Sequence, residues 1–85
     1  MKRLTSRAQD GSASVDSAVL DEAIRRLAAY EDMHDDLEAR LADLTEKLER
    51  CKAEGTLKGA AGNQLLAQKV ALKTTIGMFD IYGIE

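Results

Sequence analysis

Residues 20–51, LDEAIRRLAAYEDMHDDLEARLADLTEKLERC, decide the fold. Within them Leu20, Ala23, Leu27, Tyr30, His34, Leu37, Leu41, Leu44, Leu48 and Cys51 follow one another by alternating steps of three and four, without a slip. A helix turning every 3.6 residues brings such positions onto one stripe, and a sustained three–four alternation is the heptad seam of a helix packed along another helix. Val19 and Ile24 widen the stripe at its start. Asp16 or Ser17 is suited to cap the free amides of the first turn, and Asp21 and Glu22 then lie near the positive end of the helix dipole. Gly55 is suited to the left-handed conformation that ends helices. A competing reading breaks this helix near Met33-His34-Asp35, with Asp35 capping a new helix and Glu38 three residues on, which gives a compact three-helix monomer. The unbroken register favours one continuous helix.

Beyond the long helix, Gly55, Gly59 and Gly62 mark a loop, and Asn63 is placed to cap a second helix running to about Tyr82. Its apolar face is Leu65, Leu72, Ile76 and Phe79, flanked by Leu66 and Val70, with Lys69 and Lys73 nearby one turn apart. Before the long helix, Asp10-Gly11 is a good turn dipeptide between Arg3-Leu4-Thr5 and Ser12-Ala13-Ser14-Val15, so residues 1–15 are read as an arm or a weak β-hairpin. Residues 16–85 form a helical oligomerisation and binding domain. At about 1.5 Å per residue the first helix is roughly 55 Å long and the second roughly 30 Å, so the second cannot cover the whole seam of the first. An exposed seam is a surface that soluble monomers avoid, and another copy of the chain is the economical cover. The expected fold is therefore all-α, a helical hairpin in a homo-oligomer, with a dimer first on symmetry grounds. The expected interface is Leu20, Leu27, Tyr30, His34, Leu37, Leu41, Leu44, Leu48 and Cys51.

Composition agrees with helix. The 85 residues contain no proline and only 4% aromatics, so burial must come from aliphatic stripes. Cys51 is the only cysteine, which rules out an internal disulfide and suits a reducing compartment. No apolar run approaches the roughly 20 residues of a membrane span, and the basic start lacks the apolar stretch of a secretory signal. A cytoplasmic protein is expected. The net charge of −3 is unevenly spread: residues 16–54 hold twelve acids and six bases, whereas residues 55–79 hold Lys58, Lys69 and Lys73 and no acid. An acidic long helix argues against a DNA-binding role, leaving only the basic arm, with Arg3 and Arg7, to contact phosphates.

The segment Met1-Lys2-Arg3-Leu4-Thr5-Ser6-Arg7, followed by Gly11 and by Leu27-Ala28-Ala29-Tyr30-Glu31-Asp32, resembles the opening of small accessory proteins common in phages and prophages of Gram-positive bacteria. Those proteins often begin M-x-R-L-T-x-R and carry R-L-A-x-Y-E-D on a helix, then a T-G-L-x-P-E-E break. Arg26 to Asp32 fits that helix; Met33-His34-Asp35-Asp36 replaces the break. The resemblance covers the first 32 residues or so. It implies a phage-encoded accessory protein of the host cytoplasm, of the kind that inhibits host immunity by stoichiometric binding, capping an immune protein or sequestering a nucleotide signal.

Groupings that carry chemistry are sparse. Glu31-x-x-His34 is half of a di-iron pattern, but the segment 55–79 has no acid to complete it, and a polar residue that sets seam register is the plainer reading of His34. Cys51 needs a neighbouring base to act as a nucleophile. His34 lies seventeen residues away on the same helix, about 25 Å at helical rise. The stretch Gly55 to Asn63 lacks the spacing of a phosphate loop. No catalytic residue, metal or cofactor is expected. The residues placed for an anionic ligand such as a nucleotide are Lys58, Gln68, Lys69 and Lys73, with Tyr82 or Phe79 to stack a base. The alternative is a structural or regulatory coiled coil without a small-molecule ligand.

Overall fold

The computed structural model describes residues 1–84. It is mostly helical, with a short antiparallel ribbon, β1 (Thr5–Arg7) and β2 (Ala13–Val15), ahead of two helices, α1 (Leu20–Glu54) and α2 (Ala60–Ile81). The expected hairpin is present, with Thr5 opposite Val15, Ser6 opposite Ser14 and Arg7 opposite Ala13. Its loop is wider than a two-residue turn. The Ala8 amide donates to the Ser12 carbonyl at 2.9 Å and the Gly11 amide to the Ala8 carbonyl at 3.0 Å. The Asp10 carboxylate closes the loop by accepting from the Ser12 amide at 2.9 Å and the Ser12 hydroxyl at 2.7 Å. These hydrogen bonds, the hydroxyl's first, hold the Asp10 carboxyl below the usual carboxylate range.

Asp16 caps the entry to the helical region, its side chain accepting from the Ala18 amide at 2.9 Å. A single 3-10 turn over Ser17–Val19 feeds into α1, which is continuous for 35 residues, with no break at Met33 to Asp36. It ends where the glycine signal places it. Gly55 has φ of +74°, and the Thr56 amide returns to the Cys51 carbonyl at 2.9 Å, the turned-back bond of a glycine-terminated helix.

The start of α2 differs from the sequence expectation. The helix begins at Ala60 with Gly59 in the extended capping position, so Asn63 lies inside the first turn and is not the cap. The physical reason is Gly62. It is buried, and a Cβ there would stand 2.2 Å from the Leu57 carbonyl oxygen. A residue that reads as a loop marker is the point where the connecting backbone lies directly on the helix. At the other end, Tyr82 caps α2.

The chain divides into two compact units, Met1–Asp32 and Met33–Glu85. In the second, the later part of α1 and α2 pack as a hairpin around Leu44, Leu48, Ile76 and Phe79, all buried. His34 meets Phe79 edge to face, with ring centroids 5.2 Å apart. Counting at equal helical rise from that pair toward the connection sets Leu37 level with Ile76, Leu41 with Leu72, Leu44 with Lys69, Leu48 with Leu65 and Cys51 with Gly62. Thus α2 has its own heptad stripe, Gly62, Leu65, Lys69, Leu72, Ile76 and Phe79, every member buried or half-buried. Full burial of each large apolar side chain stabilises by roughly 1.5–3 kcal/mol, and the brief connection keeps the entropy cost of closing the hairpin small.

In the first unit the ribbon is largely exposed, and Leu4, Val15 and Val19 are half-buried. Two contacts tie the chain start to the helix: the Arg26 guanidinium donates to the Lys2 carbonyl, and the Tyr30 hydroxyl lies 3.5 Å from the Met1 sulfur. Among the described residues, no helix is long and apolar enough to cross a membrane.

Candidate interaction surface

The expected interface residues separate into two groups. His34, Leu37, Leu41, Leu44, Leu48 and Cys51 are buried or half-buried; α2 covers this part of the seam within the chain. Leu20, Leu27 and Tyr30 have no helix over them. They are 45%, 59% and 44% exposed, and Ile24 beside them is 57% exposed. The heptad stripe thus continues through Leu20 to Tyr30 with no helix against it. On one side of this ridge the arm forms a groove in which Met1 and Leu4 face Ala23, Leu27 and Tyr30, with Arg3, Thr5 and Arg26 at its edge. Ile24 lies outside the groove's lining.

Charges beside the ridge are locally balanced. The Glu22 carboxylate pairs with Arg25 and accepts from the Arg26 Nε at 3.4 Å. The Arg25 hydrogen bond chiefly holds the Glu22 carboxyl below its ordinary range, and Glu22 in turn raises the Arg25 guanidinium. A surface of apolar side chains with paired charges at its margin suits contact with another polypeptide.

The residues expected to hold an anion do not converge. Lys69 is half-buried at a seam position, whereas Lys73, on the next turn, is exposed. Lys58 is exposed in the connection, and Tyr82 is 75% exposed at the end of α2. Phe79, a candidate to stack a base, is buried against His34. Gln68 borders a groove with Arg40 and Lys47, but those two cations are each bonded at 3.0 Å to their own helical neighbours, Asp36 and Asp43. In the glycine-rich connection, the Gly55 amide donates to the Lys52 carbonyl and the Gly59 amide to the Thr56 carbonyl. Neither amide is open to a phosphate. His34 Nε2 lies 4.0 Å from Glu38, Glu31 is exposed and Cys51 is a free, half-buried thiol. Among the described residues, no three of the His, Cys, Asp and Glu side chains cluster as metal ligands.

A second apolar patch escaped the sequence reading. Met78, Ile81, Tyr82 and Ile84 are exposed at the end of α2, and the signal was available: none of them falls on the stripe that ends at Phe79. Leu66 and Val70, read as flanking the buried face, are also exposed, Val70 to 64%. Comparison of the chain with known protein families, characterised proteins and solved structures finds no match.

Proposed function

We propose that this protein works without catalysis, as a self-associating helical binder whose working surface is the ridge from Leu20 to Tyr30. One observation carries the reading: Leu20, Leu27 and Tyr30 of a regular heptad stripe, with Ile24 beside them, stand exposed where the same stripe further along is covered by α2. The narrower reading is a phage or prophage accessory protein that inhibits host antiviral defence in the cytoplasm by stoichiometric binding. The resemblance of residues 1–32 supports it. Of the two kinds of target, the apolar ridge favours an immune protein over a nucleotide signal, since the scattered lysines give an anion no common site.

Tagged protein incubated with host lysate tests this. One partner should be recovered at fixed stoichiometry, and Leu27→Asp should abolish its capture while Lys58→Ala and Lys73→Ala leave it intact. Calorimetric binding of a cyclic or ADP-ribose-derived nucleotide, lost in those lysine variants, would overturn the preference for a protein target. A second reading, a structural or regulatory coiled coil with no other ligand, is favoured by Lys69, whose place in the seam suits register control better than ligand capture. It predicts self-association with no captured partner.

A further inference from the structure

We infer that a second copy of this chain docks on the outer face of α2, antiparallel to it, through Val70, Thr74, Gly77 and Ile81. This goes beyond the proposed function: the face is separate from the ridge of α1, and the pairing stands whatever covers that ridge.

The side of α2 turned away from its buried stripe is itself a seam. Val70, Thr74, Gly77 and Ile81 follow one another by steps of four, three and four. Val70 and Ile81 are 64% and 75% exposed. Lys73 and Asp80, each one residue before a seam position, lie along one edge of this face. Ala71 and Met78, each one residue after a seam position, lie along the other. The seam is suited to being covered. The Thr74 hydroxyl already donates to the Val70 carbonyl at 2.9 Å, so covering it leaves no donor unpaired. Gly77 lies inside the helix, where glycine lowers stability, and a Cβ there would meet nothing within 4 Å. Nothing among the described residues calls for a glycine at that place; the close approach of another helix does.

The occupant follows from the charges. Take an antiparallel pair about a two-fold axis midway between Thr75 and Ile76. Val70 comes level with Ile81 of the other copy, and Thr74 fills the space beside its Gly77. An axis perpendicular to the plane of the two helices keeps each edge on its own side, so the charged edge meets itself reversed. Lys73 then comes within about 3 Å of level with Asp80 of the other copy at helical rise, and Asp80 likewise with its Lys73. Both residues are exposed, and neither is in an ion pair among the described residues. On the uncharged edge, Ala71 comes beside Met78 of the other copy. A parallel mate would lay Gly77 on Gly77 and turn Lys73 toward the uncharged edge, so it gains neither the packing nor the attraction. The seam is complementary to its own reversal, which is the property of a surface that pairs with itself. Exposed ion pairs add little affinity but fix orientation. A contact of roughly three helical turns lies at the small end of stable interfaces, and pairing in the roughly micromolar range is expected.

Cysteine pairs test the geometry, in a full-length Leu27→Asp, Cys51→Ser chain so that this face acts without the ridge. A disulfide spans Cα atoms no more than about 7 Å apart. Two Val70→Cys copies, like two Ile81→Cys copies, place their cysteines roughly 16 Å apart along the axis, so neither variant should link with itself. An equimolar mixture should link Val70→Cys to Ile81→Cys on mild oxidation. Both positions are exposed, so neither substitution threatens folding. As an independent arm, Lys73→Glu and Asp80→Lys should each weaken pairing about tenfold, and mixing the two variants should restore it. Self-linking of either cysteine variant as complete as the mixed link would overturn the antiparallel arrangement. A chain that sediments as a dimer yet forms no mixed link would overturn the choice of face. Sedimentation of the Leu27→Asp chain as a monomer through the micromolar range would overturn the pairing itself, while leaving the ridge reading in place.

Discussion

Two glycines of α2 should respond to alanine with opposite signs. Gly62 and Gly77 both have helical neighbours on either side, so in each case alanine brings the intrinsic helical advantage of about 1 kcal/mol. At Gly77 a Cβ would meet nothing within 4 Å, and the full gain should appear. For a domain of this size, that raises the melting temperature by about 4–8 °C. At Gly62 the same atom would sit 2.2 Å from the Leu57 oxygen, 2.7 Å from its carbonyl carbon and 2.9 Å from its Cα. All three are backbone, so relief requires the connection to retreat by about 1 Å from the helix, which also loosens the packing beside it. Overpacking of this kind costs about 1–3 kcal/mol, and more where backbone must move. After the helical gain is subtracted, Gly62→Ala should be about 1–2 kcal/mol less stable than the parent, lowering the melting temperature by roughly 5–15 °C. Thermal and urea melts followed by circular dichroism at 222 nm, at one protein concentration, measure both variants directly. A Gly62→Ala protein as stable as Gly77→Ala would refute the close approach of the connection to α2.

Other consequences are simpler to state. Leu48→Ala should destabilise the hairpin by about 2–4 kcal/mol in urea titration, whereas Leu27→Ala should change the dilute chain by less than about 0.5 kcal/mol and weaken its self-association instead. Gly55→Ala forces a Cβ onto a residue with φ of +74° and should cost about 1 kcal/mol in the same assay. The Arg25 hydrogen bond holds the Glu22 carboxyl below the usual glutamate value of 4.5; its contribution is therefore fully present above pH 4.5 and is lost as pH falls through the lower, folded value. Acid titration of helicity should show that loss in the parent, and Glu22→Gln should flatten it.

The long helix was legible because its signals agree. A heptad stripe, an acidic first turn and a terminal glycine point to one element, and α1 follows them from Leu20 to Glu54. The ribbon was legible from Asp10-Gly11. The beginning of α2 was not, because glycine carries two meanings. Gly59 and Gly62 read as a flexible connection, yet Gly62 is required by close packing inside a helix, and only the position of the Leu57 backbone reveals that. Lys69 was misleading for a related reason. A charged residue suggests a solvated strip with Lys73, but Lys69 is half-buried at the seam position between Leu65 and Leu72. The same three–four spacing that exposes the stripe of α1 would have found it. The candidate surface was half legible. The stripe gave its residues, but which of them α2 covers depends on the antiparallel register, and that is fixed by the meeting of His34 with Phe79.

The brief connection between α1 and α2 also orders how this hairpin comes apart. Seam positions next to the turn join segments close along the chain and re-form with little loss of entropy, while His34 and Phe79, which meet edge to face, are far apart along it. The two helices therefore behave as a zipper with a closed tail and an open mouth. Fraying starts at the histidine and travels toward the glycines, so amide exchange should quicken steadily with distance from the turn.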